Sequence, residues 1–261
     1  MILAVATTLR FARASRSRTS RGASPYSRRP LSSSRGSTRR CCASCFKNLT
    51  FNIGQRCTVC DEPLTLESEL CDHCHYEPPH FNSNRSVTVY EPTVASMVLR
   101  YKNGGALNYS KPFAKWLATL FQKNALPDEA ILVPIPLHFW RYIRRGYNQS
   151  ALLTHALQKE LQQNGLRKQT NYHCLKRQHH TKTQRFLTLH ERRANVEEAF
   201  YVPPKYREKI KGKTIVLIDD ICTTGATLSA AAKALKDGGA TEVHCLTIAK
   251  APLHAVPKSQ T

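Results

Sequence analysis

From residue 86 onwards, apolar and polar residues recur at spacings that predict alternating strands and helices. SVTVYEP (86–92) alternates apolar and polar positions, which is typical of a half-buried strand. ILVPIP (131–136) is a short β run that two prolines end, and we expect the basic segment that follows it, 138–147, to form a loop. Apolar residues at helical spacing predict helices over 94–102, 111–124 and 149–163.

The segment 215–249 contains the strongest secondary-structure pattern of the chain. IVLID (215–219) is apolar up to its last residue, as expected for a strand buried on both faces of a parallel sheet. Helical spacing follows over 226–237, and EVHCLTIA (242–249) is the next predicted strand. Strand, helix and strand at this spacing form a βαβ unit, so the predicted fold class is α/β, with a parallel sheet flanked by helices.

Two adjacent carboxylates, Asp219 and Asp220, stand where this strand gives way to the helix. Ligands of open α/β sheets bind at that edge. A loop of small residues follows, comprising Thr223, Thr224, Gly225, Ala226 and Thr227. It combines three hydroxyl groups with the N-terminus of the predicted helix, which suits a phosphomonoester, and we call it the phosphate loop. Carboxylates beside a phosphate repel it unless they face sugar hydroxyls or Mg²⁺. A ribose 5-phosphate satisfies both halves of such a site.

Seven of the ten cysteines lie between positions 41 and 74, which favours a metal site over a disulfide framework. Two C-x2-C pairs separated by ten residues supply four candidate ligands, which are Cys57, Cys60, Cys71 and Cys74. Four thiolates form a closed tetrahedral Zn²⁺ site, so the predicted zinc is structural. Cys42 and Cys45 form a further candidate pair that lacks a matching partner pair.

Positive charge is concentrated at the start of the chain. Residues 1–40 contain ten arginines and no Asp or Glu, and they contribute +10 to a net charge of +21. This Arg/Ser-rich composition predicts a disordered extension; it is also typical of organellar transit peptides, and an over-extended start is a third interpretation. The apolar run MILAVA is too short to cross a membrane, so we expect no membrane insertion.

The segment IVLIDDICTTGAT (215–227) resembles the 13-residue signature with which type I phosphoribosyltransferases bind phosphoribosyl pyrophosphate (PRPP). It matches in its four apolar residues, its Asp-Asp pair, its three-residue spacer and its final Thr-Gly-Ala-Thr. The resemblance implies that Asp219 and Asp220 contact the ribose hydroxyls and Mg²⁺, that the phosphate loop holds the 5-phosphate, and that Cys222 is a spacer. A strand that merely ends in an acidic helix cap is the alternative.

Two further blocks, 133–153 (VPIPLHFWRYIRRGYNQSALL) and 175–200, resemble the ComF/GntX group of phosphoribosyltransferase-like proteins, GntX-like members most of all. The resemblance implies a pyrophosphate region comprising Pro134, Ile135, Pro136, Leu137, His138, Arg145 and Gly146. It also implies a flexible hood over the substrate that includes Arg177, Thr181, Gln184, Arg193 and Asn195. The alternatives from charge alone are a solvated basic face and an exposed linker.

The resemblance implies transfer of a phosphoribosyl group from PRPP to an unidentified acceptor, with release of pyrophosphate. Mg²⁺ would accompany PRPP, and Zn²⁺ would be structural. The second hypothesis is a non-catalytic PRPP-binding or accessory protein that handles single-stranded DNA in DNA uptake and competence. Aromatic residues among arginines in 139–147 are compatible with base stacking.

These predictions divide the chain into a disordered extension (1–40), a zinc-ribbon-like cysteine module (41–80), a phosphoribosyltransferase domain (85–250) and a tail (251–261). The core of the cysteine module, 57–80, carries six Asp/Glu and no Lys or Arg, which argues against phosphate binding there. The expected location is the bacterial cytoplasm, or an organelle if residues 1–40 are a transit peptide.

Overall fold

Seven strands lie within the residues that the structure, a computed structural model, describes, which are 46–64, 68–104, 106–124, 126–178 and 199–253. The strands are β1 (Ser83–Val89), β2 (Ile131–Pro134), β3 (Gln169–Thr170), β4 (Lys176–Arg177), β5 (Phe200–Tyr201), β6 (Thr214–Cys222) and β7 (Glu242–Lys250). Five of them form one sheet in the order β1-β7-β6-β2-β3, and all neighbouring pairs are parallel. Strands β4 and β5 form a separate antiparallel ribbon.

Helices flank the sheet on both faces. They are α1 (Asp72–Tyr76), α2 (Pro92–Lys102), α3 (Ser110–Lys123), α4 (Phe139–Arg145), α5 (Gln149–Gln163), α6 (Pro204–Ile210) and α7 (Ala226–Asp237), with a 3-10 turn at Leu107–Tyr109. The parallel sheet with flanking helices confirms the predicted fold class. None of the helices in the described ranges is long and apolar enough to cross a bilayer.

Strand β6 is apolar because helices cover both of its faces. Val216 and Ile218 belong to the apolar cluster that α2, α3 and α5 form on one face of the sheet. Ile215 and Leu217 belong to the cluster beneath α7 on the other face. Side chains of a strand alternate between faces, so a strand covered on both sides has no polar alternation in its sequence.

Helices α3, α5 and α7 begin and end within one residue of their predicted bounds, because each buries one apolar stripe against the sheet. In α5 that stripe contains Leu153, Leu157 and Leu161, all fully buried. Strand β1 begins and ends three residues earlier than the predicted 86–92.

Two further predictions were wrong, namely the end of one strand and the conformation of one segment. Strand β6 does not end at Asp219 but runs to Cys222, because Ile221 and Cys222 still pair with Ala249 and Lys250 of β7. The segment predicted as a basic loop, 138–147, contains helix α4. No residue of α4 is buried, so its sequence lacks the apolar stripe by which helices are recognised.

The described residues of the cysteine segment, 57–64 and 68–74, pack directly on the sheet rather than apart from it. Cys57, Cys60 and Cys74 are buried in the same apolar cluster as Leu217 and Leu228. The backbone N–H of Asn84 in β1 donates to the carbonyl of Val59 over 2.6 Å. The segment is therefore held against the side of the sheet that α7 covers.

Candidate functional site

The carboxyl ends of β2 and β6 lie side by side and bring the predicted site residues to one edge of the sheet. Pro134 pairs with Ile218, and the N–H of Ile135 donates to the carbonyl of Ile218 over 3.1 Å. The next residue of β6 is Asp219, and the segment that leaves β2 is the predicted pyrophosphate region, 134–138. The two blocks therefore meet where open α/β sheets bind ligands.

Asp219 is held by two hydrogen bonds to one of its carboxylate oxygens. The hydroxyl of Ser150 donates to Oδ1 over 2.8 Å, and the N–H of Asp220 donates to the same atom over 2.9 Å. Burial and the neighbouring Asp220 charge raise the pKa of Asp219 to about 7, although these hydrogen bonds and Lys102 act in the opposite direction. The ionisation of Asp219 therefore changes near neutral pH.

Asp220 is almost fully buried, with a side chain that is 5% exposed, and it is paired with a lysine. Lys102, the last residue of α2, places its Nζ 2.9 Å from Oδ1. Within the described ranges, Oδ2 of Asp220 has no hydrogen-bond partner. A buried carboxylate oxygen without a donor is costly, so this atom is suited to a ligand hydroxyl or a cation.

Two residues that the sequence did not identify, Asn148 and Ser150, connect the pyrophosphate region to Asp219. The side chain of Asn148 caps α5 by accepting from the N–H of Ser150 over 3.0 Å, and it donates to the carbonyl of Ile135 over 3.0 Å. This cap fixes the first turn of α5, so the hydroxyl of Ser150 reaches Asp219. Asn148 belongs to the Gly-Tyr-Asn-Gln run (146–149) and Ser150 directly follows that run, which was the available signal.

The phosphate loop presents four exposed residues around one buried glycine. Thr223, Thr224, Ala226 and Thr227 are exposed, whereas Gly225 is buried with a φ of +83°. A Cβ at Gly225 would lie 3.6 Å from the ring of Phe81. The left-handed conformation favours glycine, and it places the loop directly before the N-terminus of α7. The N–H of Ala226 is 3.3 Å from Oγ1 of Thr224, which leaves the loop locally braced.

The remaining predicted pyrophosphate residues lie along the exit from β2 and at the end of α4. Ile135 is buried, whereas Pro136, Leu137 and His138 are partly exposed. Arg145, the last residue of α4, donates from Nη1 to Oε1 of Gln149 over 3.1 Å. Gly146 ends the helix with a φ of +76°.

Of the residues predicted to form the hood, the structure describes Arg177, which lies in β4. Its guanidinium carbon lies 5.3 Å from the ring centroid of Phe200. Burial and the charge of Arg141 lower the pKa of Arg177, and Asp219 acts in the opposite direction, so these groups are within electrostatic reach. Thr181, Gln184, Arg193 and Asn195 lie outside the described residues.

The four predicted zinc ligands converge on one point. The Sγ atoms of Cys57, Cys60, Cys71 and Cys74 lie within 4.8 Å of one another, and those of Cys60 and Cys71 are 3.5 Å apart. Four sulfurs about 2.3 Å from a central ion have similar separations, so the cluster fits a closed tetrahedral Zn²⁺ site. Cys42 and Cys45 lie outside the described residues. Burial raises the pKa of Cys222 to about 12, consistent with a spacer and not a reactive thiol.

We expect the purified protein to contain about one zinc ion per chain, because four clustered thiolates bind Zn²⁺ tightly. Cys57→Ser removes one ligand and should lower the zinc content below half, measured by elemental analysis. Cys174→Ser is the matched control, since Cys174 is a buried thiol outside the cluster. A folded wild-type protein free of metal would contradict the assignment.

Comparisons with known proteins identify a domain and several relatives that match most of the chain. A family model described as "Phosphoribosyl transferase domain" matches residues 166–261. Competence protein F of Haemophilus influenzae is 28% identical over 216 residues, which cover 80% of this chain and 90% of that protein. DNA utilization protein YhgH of Escherichia coli O157:H7 is 30% identical over 73% of this chain and 82% of the relative. Competence protein ComFC of Bacillus subtilis is 29% identical over 76% of this chain and 78% of that protein.

Proposed function

The chain belongs to the ComF family of phosphoribosyltransferase-like proteins, and from that premise we propose that it binds PRPP at the carboxyl edge of its sheet and transfers the phosphoribosyl group to an acceptor. Asp219 and Asp220 would accept hydrogen bonds from the ribose hydroxyls. The phosphate loop would bind the 5-phosphate through backbone N–H groups and threonine hydroxyls. The acceptor is unassigned.

One observation carries this proposal: two adjacent carboxylates, of which Asp219 is partly exposed and Asp220 is buried, stand shortly before an exposed loop that leads into a helix N-terminus. Carboxylates repel phosphate, whereas sugar hydroxyls donate to them, so only a ligand with both groups uses the whole site. The orphaned Oδ2 of Asp220 fits a hydroxyl donor or an oxygen-seeking cation. When bound there with PRPP, Mg²⁺ would neutralise charge on the leaving pyrophosphate.

The proposed reaction breaks the bond between C1 of the ribose and the pyrophosphate oxygen, and it forms a bond from C1 to the acceptor's nucleophilic atom. The pyrophosphate leaves with the bonding electron pair, and the acceptor's proton passes to solvent or to a base. Arg145 and Arg177 would stabilise the leaving group, since guanidinium groups bind phosphate oxygens in pairs. Strand β4 holds Arg177 within electrostatic reach of Asp219.

Ligand-dependent thermal unfolding tests the binding half of the proposal. PRPP with Mg²⁺ at about 100 times its Kd should stabilise the protein by about 2.7 kcal/mol. Ribose 5-phosphate and pyrophosphate, each carrying half of the ligand, should stabilise it less. Pyrophosphate release with nucleobases and amines as acceptors tests the transfer half. Absence of stabilisation by PRPP would contradict the proposal as a whole.

PRPP affinity should rise with pH through the ionisation of Asp219, whose pKa is about 7. Only the ionised carboxylate offers all its oxygens as acceptors, so affinity should fall about tenfold per pH unit below about pH 7. Titration calorimetry across this interval measures the profile.

Two variants separate this effect from the titration of the ligand's own phosphates, which ionise near pH 6. In Asp219→Asn, the change in PRPP affinity that comes from ionisation of the carboxyl group should disappear. Ser150→Ala removes a hydrogen bond that lowers the pKa of Asp219, so its profile should move to higher pH. An unchanged profile in Ser150→Ala would contradict the assignment of this change to Asp219.

A second candidate function, handling of single-stranded DNA, is favoured by the surface of α4. Trp140, Tyr142 and Ile143 are 70%, 51% and 56% exposed, and they alternate with Arg141 and Arg144. Aromatic rings among positive charges suit base stacking and phosphate contacts. Two relatives are named for competence and one for DNA utilization, which agrees with such a role.

Trp140→Ala should weaken binding of an oligothymidylate by about 5- to 100-fold, the effect of losing one stacked base. Tyr76→Ala is the matched control, because Tyr76 is 79% exposed in the acidic cysteine module. Fluorescence anisotropy measures both variants. Equal affinity in wild type and Trp140→Ala would exclude α4 as the binding surface.

A further inference from the structure

Lys250, the last residue of β7, is a buried lysine that supports the phosphate loop from beneath. Its side chain is 2% exposed, and its Nζ donates to the carbonyl of Thr223 over 2.8 Å and to that of Ala251 over 2.8 Å. Thr223 is the first residue of the phosphate loop. The ammonium group therefore fixes the point at which the chain leaves β6.

The counter-ion of Lys250 comes from the cysteine segment. Glu62 follows the zinc ligand candidate Cys60 by two residues, and its Oε2 lies 2.9 Å from Nζ of Lys250. Its other oxygen, Oε1, accepts from the N–H of Leu253 over 2.8 Å. The Glu62 side chain is only 8% exposed, so the ion pair is buried on both sides.

Two more contacts join the same parts of the molecule. Phe81 is 3% exposed, and its ring lies where a Cβ of Gly225 would approach to 3.6 Å. The N–H of His80 donates to Oγ of Ser229 in the first turn of α7 over 3.0 Å. His80 and Phe81, which lie between the cysteine segment and β1, thus contact the helix and the loop respectively.

A buried ammonium requires all of its partners, because an unpaired charge in a protein interior is strongly unfavourable. The position of Glu62 depends on the turn that carries Cys60, in which Asp61 has a φ of +66° and the N–H of Cys57 donates to the carbonyl of Glu62 over 2.8 Å. A change in the turn that carries Cys60 would therefore shift the carboxylate of Glu62. Lys250, which pairs with Glu62 and holds Thr223, would shift with it.

We propose that the ion pair Glu62–Lys250 couples the cysteine cluster to the phosphate loop, so that metal binding by the four cysteines and phosphate binding by the loop strengthen each other. This inference rests on the proposed function for its ligand. Coupling between two sites is reciprocal: zinc raises the affinity for PRPP by the same factor by which PRPP raises the affinity for zinc. We expect a factor of about 10, within the usual range for such coupling.

The chain contains a matched control for Lys250. Lys168 is equally buried and donates from Nζ to the carbonyls of Pro127 and Asp128, with the carboxylate of Asp128 at 2.9 Å. Lys168 lies at the amino end of β3, whereas the phosphate loop follows the carboxyl end of β6. The Asp128 side chain is 86% exposed, so the two sites share the buried lysine but not the buried counter-ion. Lys168→Met therefore removes an equally buried ammonium group without touching the proposed coupling.

The experiment compares zinc-loaded full-length proteins with unchanged cysteines. Glu62→Gln and the double variant Glu62→Met with Lys250→Met should each lose about tenfold in PRPP affinity, whereas Lys168→Met should retain it. The double variant removes both charges, so no unpaired charge remains to unfold the protein. Zinc affinity, measured by competition with a chromogenic chelator, should rise with PRPP in wild type and Lys168→Met only.

Hydrogen exchange of the amides of residues 223–226, measured without PRPP, separates this inference from the proposed function. Exchange should accelerate about tenfold on zinc removal in the wild type and should already be fast in zinc-loaded Glu62→Gln. That result together with no PRPP binding would refute the proposed function and keep the coupling. Unchanged exchange in both cases, or equal PRPP affinity in the double variant and wild type, would overturn the coupling.

Discussion

Replacing Asp219 and Asp220 together by asparagine should lower the affinity for PRPP at least about 100-fold while the protein remains folded. Asparagine keeps the shape of each side chain but removes the charge and replaces one acceptor oxygen by a donor. Each lost hydrogen bond between a charged acceptor and a hydroxyl contributes about 1.5–3 kcal/mol. Two such positions act on the same ribose, so the combined loss is large.

The stability of this double variant provides a second signature. Burial and repulsion raise the pKa of Asp219, so holding its charge opposes folding above about pH 7. Lys102 loses its partner Asp220 in this variant, but its side chain is 20% exposed and its ammonium group can be hydrated. Removing the charges should therefore leave the midpoint of thermal unfolding of the ligand-free protein unchanged or higher at about pH 8. A site that loses its ligand and gains stability is functional rather than structural.

Asp237→Asn is the control, because Asp237 forms an exposed ion pair with Lys233 at the end of α7. Exposed pairs of this kind contribute little to stability, so PRPP affinity and stability should both match the wild type. Titration calorimetry and circular dichroism measure the two properties. Wild-type affinity in the double aspartate variant would contradict the assignment of the ribose site.

Gly225→Ala should lower PRPP affinity by about tenfold or more. Gly225 has a φ of +83°, and a left-handed backbone costs a residue with a Cβ about 1–2 kcal/mol. The alanine relieves this strain by turning the loop, which moves the N–H groups that would bind the 5-phosphate. The ring of Phe81, which would contact the new Cβ, limits the other conformations that the loop can adopt.

Gly165→Ala separates strain from function. Gly165 also has a φ of +83°, and a Cβ there meets no heavy atom within 4 Å. Both variants should lose a similar free energy of unfolding, measured in urea, but Gly165→Ala should bind PRPP as the wild type does. Equal PRPP affinity in the two variants would show that the phosphate loop does not bind the ligand.

The elements that pack a single apolar stripe were predictable from the sequence, and those without a stripe were not. Helices α5 and α7 follow from the spacing of residues such as Leu153, Leu157 and Leu235, which the sheet buries. Helix α4 is exposed on all sides, so its residues show no period. The extension of β6 past Asp219 depends on pairing with β7, about 28 residues later, and local patterns do not contain that information.

The candidate site divides in the same way. The Asp-Asp pair, the phosphate loop and the two Cys-x-x-Cys pairs are contiguous motifs, so their residue types and spacing suffice to predict them. Lys250 and Glu62 are distant in sequence, and a lysine after an apolar strand or a carboxylate in an acidic segment normally faces solvent. Only the tertiary structure brings them to 2.9 Å.

The order of strands in the sheet has a consequence for how the protein folds during synthesis. Strand β1 lies at one edge of the sheet and pairs with β7, and Ser83 contacts His244 across 161 residues of sequence. At about 5–20 residues per second, roughly 10–30 s pass between the emergence of the two strands. During this interval the backbone groups of β1 that later pair with β7 have no strand partner. Premature release of the chain before β7 would therefore leave an aggregation-prone edge on β1.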